Sequence, residues 1–212
     1  MEYLAGVLFT LAFTGMAVAY PDGAPTLACG EMFPTGHKAD AQNSDAPYTI
    51  GVSSNSYANS ANITVTLDVK GDNYYEGVFI QARIAKCPNN STAIGTYVFN
   101  NTLLKTINCF NQQKNALTHS TKEKKRKLVF TWVPPSPAVG TVYFRGTFVK
   151  ETEEFWTDVS SDFISDGRTT SVEPEKCKVR TSGTGKLITA QAHYIICFIV
   201  AFVSFVTSTR MA

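Results

Sequence analysis

The 212-residue sequence has little charge and no excess of either sign. Charged residues make up 17% of the chain, hydrophobic residues make up 44%, and the formal net charge is +2. A chain with so many apolar residues and so little net charge is not intrinsically disordered. Its basicity is also too weak for a dedicated nucleic-acid-binding protein. These figures indicate a folded domain that does not bind nucleic acid.

The sequence also lacks the common signatures of catalysis and of metal binding. It contains neither a G-x-S-x-G nucleophile elbow nor an H-E-x-x-H zinc motif, and no two cysteines have the C-x-x-C spacing of structural zinc sites. His37 and His119 could meet in the fold and bind a metal, but two structural or solvent-facing imidazoles are the simpler interpretation. We therefore predict a protein that is not an enzyme and has no catalytic residues, metal or cofactor.

Apolar residues are concentrated at the two ends of the chain. Residues 4–18 form an apolar run, and an Ala-Val-Ala sequence at its end has the small-x-small pattern that precedes signal-peptidase cleavage. We predict a signal peptide over residues 1–19, with cleavage before Tyr20. The rest of the chain is then exported from the cytosol.

The second apolar segment lies near the C-terminus. Residues 194–206 carry no charge, but they are fewer than the roughly 20 residues that a spanning helix needs. Small residues at 182–184, followed by a spacer, match the signal for a GPI lipid anchor with Ser182 as the attachment site. Arg210, beyond the apolar run, instead suits a single transmembrane helix with a short cytoplasmic end. Both interpretations place the chain on the outer face of the plasma membrane.

Export brings the cysteines into an oxidising compartment, where disulfides persist. Cys197 lies in the apolar tail, which leaves Cys29, Cys87, Cys109 and Cys177. Four cysteines allow three pairings, and spacing alone does not choose between them.

Acceptor sequons with no proline in the middle position predict N-linked glycans in an exported chain. They place glycans at Asn62, Asn90 and Asn100. The sequon at Asn89 overlaps that at Asn90, so one glycan is expected there.

Between the ends, apolar residues recur with a period of two, which is typical of strands. The alternation is clearest over residues 62–70, 127–133 and 141–149. Further candidate strands cover residues 48–53, 78–85, 95–99 and 103–109, and turn residues separate them. Such alternation buries one face of a strand and leaves the other in water. We predict an all-β, antiparallel sandwich of about seven strands, with Trp132 in its core.

The strongest local charge is a basic run just before the strand at 127–133. Five bases and one acid occupy six residues, the bases being Lys122, Lys124, Lys125, Arg126 and Lys127. This run is a candidate site for polyanions such as sulfated glycans or the anionic groups of bacterial envelopes. The alternative is a solvated loop that protects an edge strand from mispairing.

Several motifs in the same order resemble the reeler (reelin N-terminal) domain. They are Tyr20-Pro21-Asp22-Gly23-Ala24-Pro25 with Cys29 and Met32, Pro34, His37, Gln42, Pro47-Tyr48, Gly77, Gln81-Ala82-Arg83, Cys109, Asn115 to His119, Phe130-Thr131-Trp132, Pro134-Pro135, Gly140 to Phe144, and Phe155-Trp156. The resemblance covers nearly all of the span from residue 20 to about 160. It implies an immunoglobulin-like β-sandwich over residues 20–164. The composition beyond it, polar and then apolar, predicts a polar stalk and anchor-signal spacer at 165–190 and a hydrophobic tail at 191–212.

The resemblance also implies a disulfide between Cys29 and Cys109, which leaves Cys87 and Cys177 as a second pair. A reeler domain that stands alone resembles the small invertebrate members of the family, which are defence proteins. We therefore expect an anchored, non-enzymatic, antimicrobial protein of innate immunity. Its expected partners are a microbial surface glycan or lipopolysaccharide, or sulfated glycans. The alternative is an adhesion or extracellular-matrix module that binds a protein partner.

Overall fold

The structure, a computed structural model, describes residues 20–86 and 92–168. Its nine strands are β1 Tyr48–Val52, β2 Ile63–Val69, β3 Gly77–Ile84, β4 Thr96–Val98, β5 Leu104–Cys109, β6 Gln112–His119, β7 Leu128–Val133, β8 Val142–Glu151 and β9 Glu154–Ser160. Three short 3-10 helices lie at Thr26–Cys29, Thr35–His37 and Ala58–Ser60. One antiparallel sheet has the order β1-β2-β7-β4 and the other the order β5-β6-β3-β8-β9. The predicted all-β sandwich is confirmed.

Two of these strands are absent from the sequence-based prediction. Strand β6 begins with three exposed polar residues and continues with four buried ones, so it shows no alternation. Strand β9 lies in an acidic segment, and its pairing with β8 is irregular at two points. Both strands complete tight hairpins, and the β5–β6 turn places Phe110 and Asn111 at positive φ. Period-two patterns identify strands with one wet face, and neither β6 nor β9 fits that description.

The core lies between the two sheets and is built on aromatic side chains. Trp132 is fully buried, as predicted, and its ring packs edge-on against Tyr57 and Phe144 at 5.5 and 5.7 Å between centroids. Its indole N–H donates to the carbonyl of Ile94 at 3.0 Å, so no polar atom of the ring is left unpaired. Edge-to-face pairs of this kind add to the free energy gained by burying apolar area.

The five-stranded sheet is buried on both faces at β3 and β8, which corrects the expectation of one wet face. In β3 every residue except Ile84 is buried, and in β8 the first seven residues are buried. The covering element is residues 20–38, which we call the strap. It runs across the outer face of this sheet, and a disulfide joins its Cys29 to Cys109 at the end of β5. This is the pairing that the resemblance implies.

The domain extends beyond the predicted boundary at residue 164. The amide of Tyr57 donates to the carbonyl of Ser165 at 2.8 Å, and the amide of Ser165 donates to Asn55 at 2.8 Å. Asp166 is buried as well. Residues 165–168, predicted as the start of the stalk, are therefore packed on the sandwich.

The predicted signal peptide, the rest of the stalk and the apolar tail lie outside the described residues. Within the ranges 20–86 and 92–168, no helix has the length and apolar character that crossing a bilayer requires.

Candidate functional site

The basic run forms the loop between β6 and β7, and we call residues 121–127 the basic loop. Lys122, Lys124, Arg126 and Lys127 are exposed on it, as a polyanion-binding surface requires. The same loop contacts the turn between β2 and β3, which carries acidic and aromatic side chains.

Lys125 does not belong to the predicted binding surface, because it is only 2% exposed. Its ammonium group donates to three carbonyl oxygens, those of Thr121 at 2.6 Å, Glu123 at 2.5 Å and Glu76 at 2.8 Å. An ammonium group has three hydrogens to donate, so this set of partners satisfies it completely. Burial lowers the pKa of Lys125. Lys125 therefore fixes the shape of the basic loop and does not present its charge to solvent.

Three of the exposed bases contact side chains of the β2 end and the β2–β3 turn. Arg126 donates to the carbonyl of Gly71 at 2.6 Å and lies 3.9 Å from the carboxylate of Asp72, and Lys127 lies 3.9 Å from that of Asp68. The ammonium of Lys124 lies 4.0 Å from the centre of the Tyr74 ring. Ion pairs this exposed contribute little to stability. These contacts leave all three cations open to solvent.

A cavity of about 290 Å³ lies between the strap and the adjoining ends of β3, β6 and β8, and we call it the strap pocket. Phe79 of β3 and Val149 of β8 line it from the sheet, and Met32 and Phe33 line it from the strap. The sequence pattern did not predict this pocket. The motif at residues 20–25 is the part of the sequence that marks this pocket, and no predicted site falls on it.

The two histidines considered as metal ligands both line the strap pocket, but each is held by backbone groups. The Nδ1 atom of His119 accepts a hydrogen bond from the amide of Val78 at 3.1 Å, and that of His37 donates to the carbonyl of Thr152 at 2.7 Å. Burial is the main cause that lowers the pKa of His119, and nearby Lys125 and Lys105 act in the same direction. Among the described residues, no group of three His, Cys, Asp or Glu side chains is arranged to hold a metal ion.

The motif that opens the strap is packed directly on the end of β6. The Thr118 hydroxyl accepts from the amide of Ala24 at 3.0 Å and donates to the carbonyl of Val78 at 2.8 Å. Gly23 has a φ of +121°, and a Cβ there would lie 2.6 Å from the carbonyl oxygen of His119. Only glycine fits this position, because both the backbone conformation and the close approach exclude a side chain.

Polar side chains from β3 and β8 hold the middle of the strap, and we call Gln81, Arg83, Arg145 and Thr147 the polar ladder. They donate to consecutive strap carbonyls: Gln81 to Cys29 at 3.2 Å, Arg83 to Cys29 at 2.8 Å and to Gly30 at 3.1 Å, Arg145 to Glu31 at 3.1 Å, and Thr147 to Met32 at 2.5 Å. All four side chains are buried. The ladder satisfies strap carbonyls that would otherwise be buried without a donor, which is costly.

Arg83 is the most unusual member of the polar ladder. It is 1% exposed, and its Nε and Nη1 atoms find no hydrogen-bond partner among the described residues. Burial and the neighbouring Arg145 lower the pKa of Arg83 to about 10. The guanidinium of Arg145 is paired with the carboxylate of Asp158 at 2.6 Å. The guanidinium of Arg83 instead lies over the ring of Phe110, with its Cζ atom 5.7 Å from the ring centre. Holding a guanidinium here costs free energy, which the rest of the strap interface must offset.

The remaining predicted sites fall into two groups. Asn62 and Asn100 are exposed, as glycan acceptors must be. Asn90, Ser182 and the cysteine pair at 87 and 177 lie outside the described residues, and they stay predictions.

Both a family model and a solved structure match this domain. A family model described as "Reeler domain" matches residues 27–172. The crystal structure of the human F-spondin reeler domain superposes with a TM-score of 0.50 over 60% of this chain and 94% of that chain. At 15% sequence identity, this likeness shows the fold alone.

The curated relatives fall into two kinds. "Putative defense protein 3" of Antheraea mylitta is 34% identical over 75% of this chain and 92% of its own length. "Putative defense protein Hdd11-like" of Samia ricini is 33% identical, over 93% of its length. "Putative ferric-chelate reductase 1" of Danio rerio is 30% identical, but the match spans only 26% of that protein. The defense proteins match over almost their whole length, and the reductase matches over about a quarter.

Proposed function

The chain belongs to the reeler family, and on that premise we propose that it is an extracellular, non-enzymatic protein of innate immune defence that binds anionic components of microbial surfaces. The main support is the pair of silk-moth relatives named as defense proteins, which match this chain over more than nine tenths of their length. The reductase relative carries no such weight, because three quarters of its chain lies outside the match.

The basic loop is the proposed site, with Lys122, Lys124, Arg126 and Lys127 as the contacting cations. Lys125 has a structural role instead, because the three hydrogen bonds from its ammonium group to carbonyl oxygens hold the loop in one conformation. A loop that is ordered before binding loses less conformational entropy when a ligand is bound. Sulfates and phosphates are the ligand groups that exposed Lys and Arg side chains recognise.

The test measures binding of the full chain to lipopolysaccharide and to heparin. The variant Lys122→Gln, Lys124→Gln, Arg126→Gln removes three exposed charges of the basic loop, and we expect at least a tenfold loss of affinity for both ligands. The control Lys86→Gln, Lys114→Gln, Arg168→Gln removes the same charges from exposed positions elsewhere and should bind like the parent chain. Affinity of the parent should also fall as salt is raised, because exposed charges are screened. Equal, salt-insensitive binding by both variants would exclude the basic loop.

Attachment to the cell surface is a separate part of the proposal. A phospholipase specific for phosphatidylinositol, applied to intact cells, distinguishes its two forms. Release of the chain indicates the lipid anchor at Ser182, and retention with an accessible domain indicates a spanning helix. A chain found only in the medium of untreated cells contradicts both.

A further inference from the structure

We propose that the strap pocket binds the acyl chain of an anionic amphiphile whose headgroup lies against the neighbouring cations. The inference rests on the proposed function and deepens it, because it names the ligand class as an anionic lipid instead of a polyanion in general. Three properties of the pocket support it: its exposed apolar rim, its apolar interior and the positive charge beside it.

The rim of the pocket carries apolar side chains that the fold leaves in water. Leu27 is 93% exposed and Tyr20 is 42% exposed, and both line the strap pocket. Within the described ranges, only five large hydrophobic side chains are exposed, and two of the five lie on the rim of the strap pocket. Exposed apolar groups gathered at a concave surface mark a binding site for an apolar ligand.

The interior of the pocket has few polar groups left to bind a polar ligand. His119, His37 and Thr147 line it, but each is already engaged with a backbone group of the domain. Thr35 and Lys38 also line the pocket, and its other lining side chains are aliphatic or aromatic. A sugar in this space would lose hydrogen bonds to water without replacing them, whereas a hydrocarbon chain would not.

Positive charge lies beside the pocket. Lys105 is half-exposed at the strap opening, where its side chain packs on Gly23 and its ammonium pairs with the exposed Asp22 at 3.6 Å. Lys38 lines the pocket as well. The basic loop begins two residues after His119, which lines the pocket, but its exposed cations lie against the β2–β3 turn, so Lys38 and Lys105 are the cations beside the pocket. An apolar pocket beside a group of cations is complementary to a hydrocarbon chain with an anionic head.

The first experiment titrates the full chain with alkanoates and measures heat release by calorimetry. Decanoate should bind one molecule per chain, and octanoate should bind about tenfold more weakly, because two methylene groups fewer are buried. Decanol, which has the chain without the charge, should bind more weakly than decanoate. No saturable heat with decanoate, or equal affinities for octanoate and decanoate, would overturn the proposal.

Two variants locate the site. Leu27→Gln removes the apolar rim, and Ala24→Phe fills the pocket while keeping the backbone amide that Thr118 accepts from. Both should weaken decanoate binding at least tenfold. Val98→Gln is the matched control, since Val98 is 60% exposed on the other sheet, and it should bind decanoate like the parent chain. Equal decanoate binding by all three variants would place the site elsewhere.

Heparin separates this proposal from the proposed function, because it carries sulfates and no acyl chain. If the strap variants keep heparin binding and lose decanoate binding, the lipid pocket is supported and the basic loop is unaffected. If heparin binds and decanoate does not, the lipid pocket fails and the proposed function stands. Displacement of bound decanoate by lipopolysaccharide alone identifies a microbial lipid, and displacement by phosphatidylserine vesicles as well identifies anionic lipids in general.

Discussion

At β3 and β8 the two faces of the five-stranded sheet are both buried, but they are held by different forces. The inner face packs on the other sheet through aromatic and aliphatic side chains, with Trp132 and Phe144 at its centre. The outer face meets the strap through the polar ladder, the Cys29–Cys109 disulfide and a small apolar cluster that includes Met32 and Phe79. The inner interface is therefore mainly apolar, whereas the outer one is small in apolar area and rich in directed hydrogen bonds.

The difference shows what each kind of interface can specify. Apolar burial is large but non-directional, so it stabilises the sandwich without fixing one exact alignment. Hydrogen bonds from the polar ladder to carbonyls 29–32 add little net free energy each, but a shift of the strap by one residue would leave buried groups unpaired. The inner interface supplies stability, and the outer interface supplies the register of the strap that shapes the pocket.

The largest effect is expected from truncation on the inner side. Trp132→Ala should lower the free energy of unfolding by about 3–5 kcal/mol, because it removes a fully buried ring and leaves a cavity. Val129→Ala, in the same strand at a position 47% exposed, should change it by less than about 0.5 kcal/mol. Denaturant unfolding followed by circular dichroism measures both. Similar losses in the two variants would mean that the inner face is not the main source of stability.

A smaller effect is expected from removing the covalent link on the outer side. Replacing both Cys29 and Cys109 by Ala should cost about 2–4 kcal/mol, since the disulfide closes a loop between residues 80 apart in sequence. Amide hydrogen exchange should rise most over the strap, while β2 and β7 keep the highest protection. If exchange rises equally over the strap and these strands, the two interfaces form one cooperative unit and the contrast between them is wrong.

The smallest effect concerns His119, where the strap meets β6. Its pKa is lowered in the folded protein, so the unfolded chain takes up the proton first as the pH falls below about 6.5. The contribution of His119 is therefore fully present above that pH and is lost as the pH falls toward the folded pKa. The slope is at most about 1.4 kcal/mol per pH unit for one proton.

Thermal or urea unfolding from pH 8 to pH 5 measures this slope. His119→Asn keeps an acceptor for the amide of Val78 and removes the titrating group, so it should show a shallower fall in stability than the parent chain. Identical pH profiles for the two chains would mean that His119 does not couple the strap to protonation.

The sequence predicted the sandwich better than it predicted the site. Alternating apolar residues identified the inner faces of β2 and β7, because those strands obey the simple rule of one dry and one wet face. Applied to β3 and β8, the same rule would place Gln81, Arg83 and Arg145 in solvent. It failed there because a separate segment supplies carbonyl acceptors for these side chains, and a local pattern does not show such a distant partner.

The basic run shows the same limit on a smaller scale. Its five bases are alike in sequence, yet Lys125 is buried and Lys124 lies exposed on the ring of Tyr74. What separates them is the carbonyl of Glu76, which lies far away in the chain and accepts from Lys125. Charge patterning locates a charged loop, and the fold decides which of its charges reach solvent.

The disulfide at Cys29 also limits the motion of the strap. Residues 20–28 are tethered by one end to β5, so when their contacts break they remain within roughly 30 Å of the anchor point. Return of this segment to the sheet is then an intramolecular event with a high effective concentration. The side of the pocket that residues 20–28 form therefore stays close to the sheet even when the contacts of this segment are broken.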